Sequence, residues 1–192
     1  MKSKYYSNIY YKDGGDKLMD NGDLNIRKAV LSDAKGIAKV HVDSWKTTYK
    51  NIVSDQYLKN LTYESRDRLW ENNIPNGGVY VAENKEGEIV GFSSGGLERS
   101  GNYHGFEGEL YAIYILKEYQ GNGIGKALVK PIIEEITELG LNSMLVLVLK
   151  DNISRLFYES LGGKKIDSVE VEISEKKLTE IVYGWEDIRN IF

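Results

Sequence analysis

The chain contains no cysteine, which excludes disulfides, thiolate metal sites and cysteine nucleophiles. Its two histidines give a metal centre little to build on, so none is expected. No long apolar run is present either. The longest, Met144-Leu-Val-Leu-Val-Leu149, falls far short of the roughly 20 residues that span a bilayer, and no segment resembles a signal peptide. These absences predict a cytoplasmic protein that engages no membrane. Lys and Arg number 25 against 29 Asp and Glu, for a net charge of −4. No basic cluster is dense enough to suggest nucleic acid, and the slight acidic excess is compatible with a cationic partner.

What is present is the composition of one soluble domain: 192 residues, 28% charged and 41% hydrophobic, enough to bury a real core. Residues 1–23 stand apart, rich in tyrosine and lysine and without a sustained apolar period. They read as an extension, either partly disordered or packed as a short edge element, ahead of a domain spanning 24–192. That domain opens on an alternating strand, Leu24–Ala29, followed by a helix capped at Ser32-Asp33 with Ile37, Val40, His41 and Trp45 on its apolar face. A second helical region covers 54–70, with Leu58, Leu61 and Leu69 as candidate core. Strands at Val79–Glu83 and Glu88–Ser94 flank a tight turn at Asn84–Gly87, and 95–106 reads as a glycine-rich loop.

Glu107–Leu116 is a strand dense in Tyr and Ile, and a glycine-rich turn follows, Tyr119-Gln-Gly-Asn-Gly-Ile-Gly-Lys126. A helix then carries Ile124, Leu128, Ile132, Ile136 and Leu139 on one stripe to a C-cap at Gly140, with a kink expected at Pro131. Ser143–Leu149 is apolar throughout, as in a strand covered on both faces. A short helix at 154–161 stops at Gly162-Gly163, and a hairpin of Lys165–Ile173 and Leu178–Trp185 closes the chain.

Strand, glycine turn, helix and strand make a parallel crossover, with the turn's N–H groups at the carboxyl end of the first strand. That placement suits a pyrophosphate. The letters exclude two familiar cradles. A P-loop ending at Gly125-Lys126 would need glycine where Gln120 stands, and Ala127 offers no hydroxyl for magnesium. A G-x-G-x-x-G fingerprint ends on Lys126 or Leu128 rather than glycine.

Gln120-Gly-Asn-Gly-Ile-Gly125 resembles the Q/R-x-x-G-x-G/A signature of the GNAT acetyltransferases, and Asn152 to Gly162 resembles that family's second signature. The order of elements from Leu24 to Trp185 is similar to the family as well. The resemblance implies an α/β (α+β) fold: a mixed central sheet of six to seven strands, helices on both faces, splayed between the fourth and fifth strands. It implies acetyl-CoA as acetyl donor, with no metal. The amides of Gly121, Asn122, Gly123, Ile124, Gly125 and Lys126, with Gln120 beside them, would hold the pyrophosphate. The backbone of Ile113, Tyr114 and Ile115 would pair with the pantetheine arm, and the Ile115 amide would donate to the thioester carbonyl. Asn152 would bond the pantetheine amide and Arg155 would approach the nucleotide phosphates.

The same resemblance assigns Tyr158 as general acid to the leaving thiolate and Glu109, eleven residues before Gln120, as base to the amine. Tyr158 reads alternatively as a core tyrosine, and Glu109 as a solvated strand residue sharing a face with Glu107. Trp45 and Tyr49 sit where the family's first helices line the acceptor pocket, or are plain core. His41 reads as a structural histidine, and His104 lies in a loop on the acceptor side. The expected activity is direct acetyl transfer to a primary amine of a small molecule, polyamine-like by the resemblance of Trp45–Leu61 to one subset of the family, in a monomer or homodimer. The alternative is a non-catalytic acyl-CoA-binding sensor.

Overall fold

A computed structural model describes residues 24–192; the extension expected at 1–23 lies outside them. Seven strands form one sheet: β1 (Leu24–Lys28), β2 (Val79–Asn84), β3 (Ile89–Leu97), β4 (Gly108–Ile115), β5 (Met144–Leu149), β6 (Lys164–Ile173) and β7 (Lys176–Trp185). Their order is β1-β2-β3-β4-β5-β7-β6. Every neighbouring pair is antiparallel except β4 with β5. This is the mixed, GNAT-like α/β sheet that the element order implies. The helices are α1 (Ala34–Thr48), α2 (Asp55–Asn60), α3 (Tyr63–Asn73), α4 (Ile124–Glu138) and α5 (Arg155–Ser160).

The alternation of β3 shows how the sheet is covered. Phe92 points to one face, where its ring meets His41 of α1 and Trp70 of α3. Ser93 points to the other and donates its hydroxyl to the Leu128 carbonyl of α4 at 2.7 Å. Helices therefore lie on both faces. α4 continues through Pro131, whose missing N–H leaves the Ala127 carbonyl without its usual donor.

Three local expectations change. The helical region at 54–70 is two helices, because Ser54 and Thr62 each cap a separate start, accepting from the amides of Tyr57 and Ser65. The restart turns Leu69 outward, 37% exposed, and sends Trp70 into the core instead. The glycine-rich loop is shorter than expected, since β3 runs on through Gly95 and Gly96 to Leu97. A Cβ at Gly95 would sit 2.5 Å from Ile132, so glycine there lets α4 approach the strand rather than loosening it. Asp33 does not cap α1: its carboxylate takes both guanidinium arms of Arg27, at 2.7 and 2.9 Å, and the Val30 amide.

The parallel contact matters most. β4 and β5 pair only at Gly108 with Met144 and Glu109 with Leu145. Beyond Glu109 the two strands separate, and the gap between them opens toward the glycine turn.

Candidate active site

Beyond Glu109, β4 keeps a partner on one edge only. Leu116 N–H bonds the Val90 carbonyl at 2.9 Å, and the register steps back through Tyr114 with Phe92 and Ala112 with Ser94. In an antiparallel ladder these alternate pairs exchange the bonds, so the groups of Ile113 and Ile115 point the other way, into the gap. The Ile115 carbonyl there accepts from Gln120 Nε2 at 2.9 Å, with Ser44 Oγ at 3.5 Å. The N–H groups of Ile113 and Ile115 face the cleft with no strand beside them.

The cleft measures about 350 Å³ and is lined by both walls of the gap, Tyr111 to Ile115 and Val146 to Val148. Its floor includes Tyr49, Asn152, Phe157 and Tyr158, and its mouth Gln120, Gly121, Gly123, Gly125 and Lys126. Gly121 and Gly123 hold φ of +81° and +80°, a conformation that costs glycine little. A Cβ at either would meet nothing within 4 Å, so the backbone is exposed to the cleft. Gly123 then precedes α4, whose first amides open toward the same mouth. Gly125 differs: a Cβ there would lie 3.0 Å from the Phe157 ring, so this glycine lets α4 and α5 pack.

Most of the residues singled out in the sequence converge on this cleft, but not all. The Ile124 side chain is core and the Asn122 side chain turns onto the Tyr119 and Gln120 carbonyls, so these two residues offer the cleft only the backbone amides expected of them. Arg155 bonds Glu159 at 3.1 Å and lies off the lining. Asn152 is buried, donating to the Tyr49 hydroxyl at 3.3 Å and accepting from the Ser154 amide. Trp45 is set back from the cleft, its ring 4.3 Å from that of Tyr49 and 5.6 Å from that of Tyr57. His41 is core, accepting from Trp70 Nε1 at 3.2 Å with its ring stacked on Tyr114. Burial pushes its pKa down to about 3, helped by Arg66. His104 is exposed in the loop after β3.

Tyr158 stands in the cleft floor, against Phe157, Tyr183 and Trp185. Burial, with a smaller contribution from Tyr49, raises its pKa, so the phenol stays protonated. Glu109 is only 4% exposed, which removes the solvated-strand reading. Arg99 grips it with Nε at 3.0 Å, Nη2 at 2.5 Å and its own amide at 3.2 Å, while stacking its guanidinium 4.0 Å over the Tyr111 ring. Arg99 was not singled out from the sequence; it lies in a segment read as loop, where nothing in the letters marks a partner for Glu109. Ser44, Thr48 and Tyr111 also line the cleft and were passed over, although Thr48 directly precedes Tyr49. Among the described residues no group of His, Cys, Asp and Glu is placed to hold a metal, and no helix is long and apolar enough to cross a membrane.

Comparison with known proteins agrees with this geometry. The family model "Acetyltransferase (GNAT) family" matches residues 44–162. An uncharacterized N-acetyltransferase, YuaI, of Bacillus subtilis is 40% identical over 165 residues, covering 86% of this chain and 94% of that protein. An L-methionine sulfoximine/L-methionine sulfone acetyltransferase of Pseudomonas aeruginosa is 24% identical, covering 79% and 86%. Among solved structures, the PaiA N-acetyltransferase of Thermoplasma acidophilum in complex with coenzyme A superposes with a TM-score of 0.64 at 23% identity, over 82% of this chain and 97% of that one. A glycine turn leading into a helix, a sheet split beside it, and a match spanning most of the domain together establish that the chain belongs to the GNAT family of acetyltransferases.

Proposed function

We propose that this chain transfers the acetyl group of acetyl-CoA to a primary amine of a small, polyamine-like molecule by direct attack within a ternary complex. The observation that carries the reading is the pair of outward N–H groups at Ile113 and Ile115, continuous with the open backbone of Gly121 and Gly123. Those groups fit an extended amide-bearing arm followed by a pyrophosphate, the chemistry of a coenzyme A thioester. Acetyl-CoA supplies the activated acetyl group.

The chain's own residues divide the remaining work. The Ile115 N–H is placed to donate to a thioester oxygen as negative charge gathers there. Tyr158 holds a proton for the departing thiolate. Its raised pKa is no obstacle, because the burial that disfavours phenolate disfavours thiolate in the same floor. An ammonium acceptor must shed a proton first, at a cost of about 4 kcal/mol for three pKa units at neutral pH. Glu109 is the base in this reading, taking that proton once the incoming cation displaces the fork of Arg99 from its oxygens. Tyr49, with Trp45 braced behind it, borders the acceptor side.

An amine screen with acetyl-CoA, reading released thiol across monoamines, diamines, amino acids and peptide N-termini, tests the proposal. Turnover with small diamines or triamines is expected. Thiol release confined to peptides or amino acids would overturn the acceptor, and none with any amine would overturn the activity.

A further inference from the structure

β7 carries a carboxylate, Glu180, with no part in the transfer chemistry. Strand alternation puts Leu178, Glu180 and Val182 on one face and Ile181, Tyr183 and Trp185 on the other. The second set packs with Tyr158, Leu161 and α4. The first set therefore turns toward α1 and α2, where Leu178 packs against the cluster of Val42, Tyr49, Leu58 and Leu149. Glu180 stands directly across from Leu149 of β5, two pairs along from Leu147 with Val182 and on the same face. Leu147 and Tyr49 both line the cleft. Glu180 thus lies on the same sheet face as Leu147, just beyond the lining of the cleft and close enough to Tyr49 and Glu109 for its charge to bear on both.

Apolar side chains flank it on the sheet, with Leu149 on β5 and Val169 on β6 as its cross-strand partners. The titratable groups around it are Tyr49 at the end of α1, Glu109 on β4, Tyr103 in the loop after β3 and Asp167 on β6. Glu109 already holds a cation, Arg99, and Lys150 follows Leu149 with its amide on the Thr179 carbonyl. Glu180 itself takes part in no ion pair or side-chain hydrogen bond among the described residues. Burial, and then the charge of Glu109, push its pKa up, the mark of a carboxylate without a counter-charge. A half-buried carboxylate of this kind gains from an arriving cation, whereas Glu109 must first release one.

We propose that Glu180 is a specificity-determining residue that receives the ammonium of the acceptor's second, non-reacting amino group, so that the enzyme selects diamines over monoamines. The inference rests on the N-acetyltransferase reading for its context, yet it concerns a binding event that can be measured alone.

Two readouts separate them. Initial rates with 1,4-diaminobutane and with butan-1-amine are compared in the wild type, Glu180→Gln, and Glu170→Gln as a control on the outward face of β6. Binding of 1,4-diaminobutane to the CoA-saturated protein is measured by calorimetry in the same three proteins. The wild type should prefer the diamine. Glu180→Gln should raise its KM and Kd about ten- to a hundredfold, as expected for losing a charged hydrogen bond, while the kinetics with butan-1-amine and CoA affinity stay unchanged. Glu170→Gln should match the wild type. Equal diamine affinity in Glu180→Gln, no diamine binding in the wild type, or an equal loss of kcat with both amines would overturn the assignment. Diamine binding lost in Glu180→Gln without acetylation of any amine would sustain Glu180 and sink the transferase reading. Acetylation without a diamine preference would do the reverse. If Glu180→Gln loses CoA binding through misfolding, Glu180→Asp replaces it: a carboxylate drawn back by one methylene should weaken diamine binding, and unchanged affinity would again overturn the proposal.

Discussion

Tyr158 and Glu109 are asked to move protons in opposite directions, and their surroundings differ accordingly. Replacing Tyr158 with Phe keeps the packing against Phe157, Tyr183 and Trp185 and removes only the proton. Turnover should fall about 10²-fold with acetyl-CoA affinity nearly unchanged, and steady-state kinetics at wild-type speed would show that another group serves the thiolate. Glu109→Gln keeps size but cannot take a proton. As a base it should lose most activity near neutral pH and regain it as pH rises and free amine appears. A pH-independent loss would reduce Glu109 to the anchor of Arg99. His41 makes a prediction about stability instead. Its folded pKa, about 3, lies below the ordinary value near 6.5, so between these pH values the unfolded chain binds more protons. Stability contributed by neutral His41 is therefore complete above 6.5 and lost progressively as pH falls toward 3. Protonation also removes the acceptor that Trp70 Nε1 uses. Denaturant melts of His41→Gln should show a shallower decline than the wild type from pH 6.5 to 4, and parallel declines would contradict the assignment.

The glycine turn shows how much one element's letters disclose. Its spacing excludes a P-loop and a dinucleotide fingerprint, and its position after a strand and before a helix puts it at the mouth of the cleft. The letters do not separate its glycines, because conformation and contact distance are not written in a one-letter code. Gly123 needs positive φ and faces open space, whereas Gly125 needs a missing Cβ against Phe157. Gly123→Ala should therefore weaken CoA binding with a small stability cost of about 1 kcal/mol. Gly125→Leu should lower the melting temperature as well, since a side chain there must push α5 away. Calorimetry and thermal melts together test the contrast, and equal destabilisation by both changes would contradict it. The same limit explains the other differences. Alternation in β1, β6 and β7 and the unbroken apolar run of β5 read correctly as strands, while the break between α2 and α3 depends on Thr62 acting as a cap. Arg99 meets Glu109 only because β3 and β4 pair through a register shift beside Gly95, a tertiary event that local pattern cannot report.

At the scale of the molecule, the sheet is two sheets joined at one short seam. Strands β1 to β4 form one side and β5, β7 and β6 the other, with Gly108–Met144 and Glu109–Leu145 as the joining pairs. Past the seam the alternation of β4 makes a prediction resolved to single amides. Ala112, Tyr114 and Leu116 donate toward β3, so their exchange with solvent deuterium should be slow in the free protein. Ile113 and Ile115 sit between them in the same strand but point into the gap, and they should exchange fast. Ligand binding slows every globally exchanging amide by a common factor, about a hundredfold when coenzyme A is present at a hundred times its Kd. Ile113 and Ile115 should gain more than that, because the bound arm converts them from free to bonded donors. Residue-resolved exchange by NMR, with and without coenzyme A, reads both effects at once. If Ile113 and Ile115 were already as protected as Tyr114 in the free protein, or gained only the common factor, the gap would not be where the coenzyme arm lies. The binding mode would then have to rest on the glycine turn alone, which in the proposed mode meets the phosphates and has no means of placing a thioester against Tyr158.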